Sequence, residues 1–206
     1  MSHGAVPDRL AEGARGGLAP IARRLVAVGV TANMVTLLGG TLTVVGATFL
    51  ALAMPQAALL VLILGTLADT LDGQVAKAAG GGTPFGGFLD STVDRLADAA
   101  LFIGTALLAV ASGQPALLWW ALLALLASFL VPYVRAKAES LGVAASVGPA
   151  PREARIVIFL LGLAAWALAG LEGLFVAGVL AVALLASITA TVRVAHVARQ
   201  LQTKGR

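Results

Sequence analysis

The chain of 206 residues is 59% hydrophobic and only 12% charged, with 14 Lys and Arg against 10 Asp and Glu and a formal net charge of +4. Its mean hydropathy is +0.96, whereas soluble domains are about 45–50% apolar and about 25% charged, so a water-soluble globule, a disordered chain and a collagen-like repeat are excluded. With no cysteine, a disulfide framework, a thiolate zinc site, an iron–sulfur cluster and thiol catalysis fall as well. The expected class is an all-α integral membrane protein, and nothing suggests a nucleic-acid partner.

In chain order, residues 1–30 carry Asp8, Arg9, Glu12, Arg15, Arg23 and Arg24, too many charges for a secretory signal. Val6, Leu10, Leu18, Ile21, Leu25 and Val28 are spaced for an amphipathic helix lying in the membrane interface. A spanning helix takes about 20 mostly apolar residues. Six apolar stretches follow, predicted as transmembrane helices over 35–54, 57–68 with a polar extension, 89–112, 116–133, 156–169 and 171–194. Turn signals at Met54-Pro55-Gln56, Ser112-Gly113-Gln114-Pro115 and Gly170-Leu171-Glu172-Gly173 support this division. The expectation is one domain over 1–206, with a juxtamembrane segment at 1–30 and a six-helix transmembrane bundle at 35–194.

With six spans, all 14 basic residues fall on one side, in the two termini, the second-to-third and fourth-to-fifth connections, or the span ends beside them. The three opposite turns contain only Glu172 as a charge. Positive-inside bias therefore predicts a multi-pass cell-membrane protein with both termini cytoplasmic. Arg9, Arg15, Arg199, Lys204 and Arg206 read as topology and anionic-lipid attraction.

The acids are the informative residues. Asp69 and Asp72 lie three apart at the end of the second span; Asp90, Asp94 and Asp98 recur every fourth residue at the start of the third. Each set shares a helix face, so two neighbouring antiparallel helices are expected to bring five carboxylates towards one point near the cytoplasmic surface. Uncompensated, they would repel at a cost of several kcal/mol. Two compensations are open. A hard divalent cation, Mg²⁺ or Mn²⁺, suits an all-carboxylate set; alternatively the acids pair with Arg95, Lys77 or Arg135. Gly73, Ala76 and Gly86 flank the acids. They leave room either for close helix packing or for a planar or phosphate-bearing group beside the metal.

Asp69-x-x-Asp72-Gly73-x-x-Ala76-Lys77, then eight residues and Gly86-x-x-x-Asp90-x-x-x-Asp94, resembles the CDP-alcohol phosphotransferase signature D-x-x-D-G-x-x-A-R-x8-G-x-x-x-D-x-x-x-D. Every spacing is intact and Lys77 stands where Arg is usual, keeping the charge without the bidentate fork. The resemblance implies displacement of CMP from a CDP-linked lipid of the CDP-diacylglycerol type by an alcohol hydroxyl attacking the β-phosphorus. It implies two Mg²⁺ or Mn²⁺ ions held by Asp69, Asp72, Asp90 and Asp94, which is the two-metal clamp of such displacements. By the same resemblance Asp94 is the general base, and Asp69, Gly73, Ala76, Lys77 and Gly86 contact the CDP donor. Asp98 lies outside the signature and is expected to support the ligands or the helices. Thr31-Ala-Asn33-Met-Val-Thr36 resembles the family's T-P-N-x-x-T segment, where Asn33 and Thr36 are expected to cap the first span or touch the nucleotide, capping being favoured.

Arg135, Lys137, Arg152, Arg155 and Arg193 gather at the same mouth. Arginines near membrane depth need anions; either Glu139 and Glu153 pair with Arg152 and Arg155, or the cluster holds the phosphate of an acceptor. Tyr133-Val-Arg135-Ala136-Lys137-Ala138-Glu139 and Arg152-Glu-Ala-Arg155 resemble the corresponding segments of phosphatidylinositol phosphate and archaetidylinositol phosphate synthases. Pro132, Lys137, Pro151 and Ala154 depart from the pattern. The acceptor implied is a phosphorylated polyol, inositol 1-phosphate first and glycerol 3-phosphate second, and a homodimer is expected. A divalent-cation transporter is the rival from another class. It is disfavoured because the outer halves of the spans are nearly all Leu, Ala, Val and Gly.

Overall fold

The structure, a computed structural model, describes the backbone of residues 8–204 and the side chains of residues 18–203. The predicted contributions of Val6, Asp8, Arg9, Leu10, Glu12, Arg15, Lys204 and Arg206 therefore lie outside the described side chains. Seven helices occur in order: α1 (Asp8–Ala27), α2 (Ala32–Ala51), α3 (Pro55–Ala78), α4 (Pro84–Ala111), α5 (Pro115–Ser140), α6 (Arg152–Ala169) and α7 (Glu172–Lys204). No strand occurs among the described residues.

Local chemistry sets the boundaries. Pro55, Pro84 and Pro115 each open a helix, where a fixed φ helps and the missing N–H costs nothing. Thr31 and Thr83 cap α2 and α4, their hydroxyls accepting from Met34 N at 3.3 Å and Gly86 N at 2.9 Å. The expectation that Asn33 or Thr36 caps α2 is thus corrected: the cap is Thr31, and both Asn33 and Thr36 lie inside the helix. Gly170, in the left-handed region at φ 71°, ends α6 as a residue without Cβ does most readily. The three predicted turns fall between helices as expected, whereas the polar extension of the second stretch is continuous helix as far as Ala78.

Among the described residues, four helices are long and apolar enough to cross a membrane: α2, α3, α5 and α7. Helix α4 bears Asp90, Asp94, Arg95 and Asp98 between its N-terminal end and its middle, and the 18-residue α6 opens on Arg152, Glu153 and Arg155. Large apolar residues such as Leu38, Leu64, Trp119, Leu161 and Leu168 face outward, as a lipid-embedded bundle requires. Phe102, Phe159 and Phe175 meet edge-to-face, and Trp166 stacks on Phe175 at 5.4 Å, knitting α4, α6 and α7.

Packing corrects one expectation. Helices α3 and α4 do not pack directly on one another; α2 packs against both, and α6 touches α3. The reason is the glycine content of α2. A Cβ at Gly39 would stand 3.3 Å from the backbone of α3 at Asp69 N, and one at Gly46 would strike Leu62 Cγ at 2.7 Å. On the other side, Gly40 leaves no room before Val93 of α4, and Gly104 of α4 abuts the Ala47 carbonyl. Small residues let helices approach closely, so α2 wedges between the two acid-bearing helices and keeps a gap open for a site.

Gly104→Ala is expected to destabilise the bundle by about 1–3 kcal/mol, since the group in the way is backbone and cannot swing aside. Gly173→Ala, whose added methyl meets nothing within 4 Å, should leave stability unchanged. Thermal unfolding of the two variants in detergent checks both.

Candidate active site

Helix α3 supplies Asp69 and Asp72; α4 supplies Asp90, Asp94 and Asp98. Each of Asp69, Asp90 and Asp94 offers one oxygen, and the three lie within 4.8 Å of one another. The predicted five-carboxylate convergence is therefore a trio with two flanking acids. Asp72 turns towards α2, where the Thr36 hydroxyl donates to its Oδ2 at 2.6 Å in a buried contact. Asp98 lies eight residues beyond Asp90, about 12 Å along a helix, and is 5% exposed.

Two guanidiniums meet these carboxylates. Arg152, the first residue of α6, donates from Nη1 to Asp69 Oδ2 at 3.3 Å and from Nε to Asp98 Oδ1 at 3.1 Å, and its Nη1 forms an ion pair with Asp94 Oδ1 at 2.8 Å. Arg95 Nη2 reaches Asp94 Oδ2 at 3.3 Å. Of the alternative pairings of these acids with Arg95, Lys77 or Arg135, only the one with Arg95 forms among the described residues. Lys77 is exposed in the last turn of α3, and Arg135 pairs with Glu139 at 2.8 Å on the exposed face of α5. Arg152 was expected to meet Glu139 and Glu153 or a phosphate, not these aspartates; it lies more than fifty residues along the chain, and α6 folding back on α3 brings it here. Five carboxylates against two contacting guanidiniums leave a negative excess, and the close trio is all oxygen. Those donors fit a hard divalent cation such as Mg²⁺ or Mn²⁺.

The trio stands between two cavities. One, of about 390 Å³, is lined by Asn33, Asp72, Gly73, Ala76, Gly86 and Asp90. A Cβ at Gly73 would meet nothing within 4 Å, so helix packing does not account for this glycine, and the open space beside it is the cavity itself. Gly86 is tighter, its Cβ position being 3.2 Å from Asn33 Oδ1. Lys77 is not among the residues lining this cavity. The other cavity, of about 210 Å³, lies on the far side of Asp69 and Asp94; it reaches past Arg152 into an apolar interior bounded by Leu62, Leu101 and Phe159.

The remaining predicted cations occupy separate environments. Arg155 is 4% exposed and donates from Nη1 to Ser128 Oγ at 2.9 Å; its buried Nε has no hydrogen-bond partner among the described residues. Arg193 donates from Nε to Val147 O and from Nη1 to Val131 O, both at 2.8 Å, tying the 141–151 loop to α5 and α7. Lys137 is exposed. The alternative pairing of Arg152 and Arg155 with Glu139 and Glu153 does not form among the described residues: Glu139 is taken by Arg135, and Arg152 is drawn to the denser negative charge of the aspartates. Sequence reasoning also missed Ser128 and the Thr36–Asp72 contact, which join residues 27 and 36 positions apart.

The family model for CDP-alcohol phosphatidyltransferase matches residues 29–194. The phosphatidylinositol phosphate synthase of Mycobacterium tuberculosis is 37% identical over 157 residues, covering 69% of this chain and 67% of that protein. The archaetidylinositol phosphate synthase of Pyrococcus horikoshii is 35% identical over 185 residues, covering 88% and 91% respectively. Among solved structures, the M. tuberculosis phosphatidylinositol phosphate synthase with CDP-DAG bound superimposes with a TM-score of 0.79 at 33% identity, over 87% of this chain and 92% of that one. The same enzyme in complex with manganese and citrate gives 0.80 at 33% identity, over 87% and 88%. The matched stretch takes in every helix that supplies a carboxylate or guanidinium to the site, and the chain belongs to the CDP-alcohol phosphatidyltransferase family, whose members are transferases of phospholipid synthesis.

Proposed function

We propose that the protein transfers the phosphatidyl group of a CDP-diacylglycerol-type lipid to the hydroxyl of inositol 1-phosphate and releases CMP. The observation that carries this reading is the placement of the Asp69–Asp90–Asp94 trio between a cavity with a glycine-lined wall and the half-buried Arg152, which adjoins the buried Arg155. In this reading α4 and α6 also cross the membrane, completing six spans, and the basic residues at the mouth put the site on the cytoplasmic side. There a donor with a water-soluble nucleotide and insoluble chains can present its phosphorus at the interface.

The nucleotide occupies the larger cavity, where Gly73, Ala76 and Gly86 allow its flat base close to the helix backbones, and Lys77 at the rim faces the donor phosphates. Asp69, Asp72, Asp90 and Asp94 would hold two divalent cations, Mg²⁺ or Mn²⁺, whose chemistry is to neutralise the pyrophosphate and stabilise the departing CMP. Asp94 takes the proton of the acceptor hydroxyl as that oxygen bonds to the β-phosphorus. The bond from that phosphorus to the bridging oxygen breaks, and its electron pair leaves with CMP. Arg152 and the buried, incompletely partnered Arg155 present N–H forks to the acceptor's phosphate. Arg193 shapes the neighbouring loop. Such a phosphate site suits glycerol 3-phosphate too; the inositol phosphate synthases among the relatives favour the inositol ester.

CMP release by purified protein given CDP-diacylglycerol and Mn²⁺, with inositol 1-phosphate, inositol, glycerol 3-phosphate and serine in parallel, tests the reading. Inositol 1-phosphate should be preferred and chelation should abolish turnover. Preference for inositol or serine would remove the phosphate pocket, and no CMP release with any acceptor would overturn this assignment of donor and acceptor. Asp94→Asn should lower kcat by about 10²–10⁴-fold, the range of a lost general base, with CDP-diacylglycerol still bound. Gly73→Ala should be as stable as the parent or slightly more so, because Ala is the better helix former by about 1 kcal/mol. Its donor KM should nevertheless rise, because the added methyl stands in the nucleotide cavity.

A further inference from the structure

Asp98 is outside the close trio and outside the wall of the larger cavity, yet it is buried one turn beyond Asp94. A carboxylate at this depth is expensive without a partner, and its partner is Arg152 Nε at 3.1 Å. The guanidinium is planar and has two usable edges. Its Nε faces Asp98, while Nη1 lies on Asp94 Oδ1 at 2.8 Å and on Asp69 Oδ2 at 3.3 Å. Those last two carboxylates belong to the trio that fits a divalent cation. A guanidinium nitrogen and a divalent cation on the same two carboxylates would repel strongly, so loading the trio drives Nη1 away. Asp98, out of the trio's reach, has no reason to let go of Nε. Arg155 shares with Arg152 a small void lined also by Asp98 and Ser128.

Resting on the reading of a phosphorylated acceptor and a metal-loaded trio, we propose that Asp98 is a positioning residue that tethers Arg152 by Nε, so that Nη1 exchanges between the metal ligands Asp69 and Asp94 and the acceptor's phosphate. Before metal binds, Arg152 neutralises the acids and is not available to the acceptor. After metal binds, the tether keeps the freed edge beside Arg155 instead of letting a long side chain scatter. Metal loading and acceptor binding are then coupled, and the coupling is reciprocal.

The test is Mn²⁺ binding to the full-length protein in detergent, without lipid or acceptor, read by electron paramagnetic resonance of the free ion. Four proteins suffice: the parent, Asp98→Asn, Arg152→Ala and the double variant. Arg152→Ala should tighten Mn²⁺ by about tenfold or more, the scale of one charge-assisted contact removed from competition. Asp98→Asn should weaken Mn²⁺ by about tenfold when Arg152 is present, because the untethered guanidinium settles on the trio, and by about twofold or less when Arg152 is absent. Equal losses in both backgrounds would show Asp98 meeting the metal itself, and no loss in either would show no tether; each overturns the proposal. If the parent binds no Mn²⁺, the metal reading fails first and takes the proposal with it. A kinetic measurement guards against a variant that does not fold. Arg152→Lys keeps the charge without the two-edged fork, and should raise the KM for inositol 1-phosphate by about tenfold with the donor KM unmoved. A rise in both KM values, or in neither, would contradict the tether.

Discussion

Three carboxylates held within 4.8 Å of one another at the edge of an apolar bundle repel, and much of the surrounding structure answers that repulsion. Arg152 reaches in from α6 and Arg95 from α4, while the Thr36 hydroxyl holds Asp72 aside. None of these contacts is strong evidence of added stability, because taking the charges out of water costs about what their pairing returns. Their consequence is arrangement. The acids stay incompletely neutralised and open on two sides.

The gap containing them exists because of α2. A helix with glycine at 39, 40 and 46 can lie against α3 on one side and α4 on the other, fixing the spacing between two acid-bearing helices whose backbones do not pack on one another. The same wedge creates two cavities instead of one. The cavity beside Gly73 and Gly86 is walled by exposed backbone and small residues; the one past Arg152 becomes apolar with depth. A lipid-linked nucleotide and a water-soluble phosphate ester differ in the same way in what they need, and the trio stands at the boundary between the two environments.

Much of this was legible in the sequence, for physical reasons. A chain this apolar can afford few acids, so five of them at helical spacing stand out, and the fixed gaps from Asp69 to Asp94 locate the motif without a structure. Prolines at 55, 84 and 115 and Gly170 mark helix ends because their backbone restrictions are local. What was not legible depends on helices meeting across the bundle. Nothing local says that α3 and α4 are held apart, that Arg152 turns to Asp69, Asp94 and Asp98, or that Arg193 spends its fork on the Val147 and Val131 carbonyls. The cap of α2 was misplaced for a different reason. Thr31, Asn33 and Thr36 are all competent capping types, and only the helix start distinguishes them.

The central claim is that Asp69, Asp90 and Asp94 form a cation site shared by both substrate cavities. Anomalous diffraction from crystals grown with Mn²⁺ tests it most directly. The account expects manganese density among the carboxylates of α3 and α4, contacting oxygens of this trio. No anomalous density there at saturating Mn²⁺, with Arg152 still bridging Asp69 and Asp94, would contradict it.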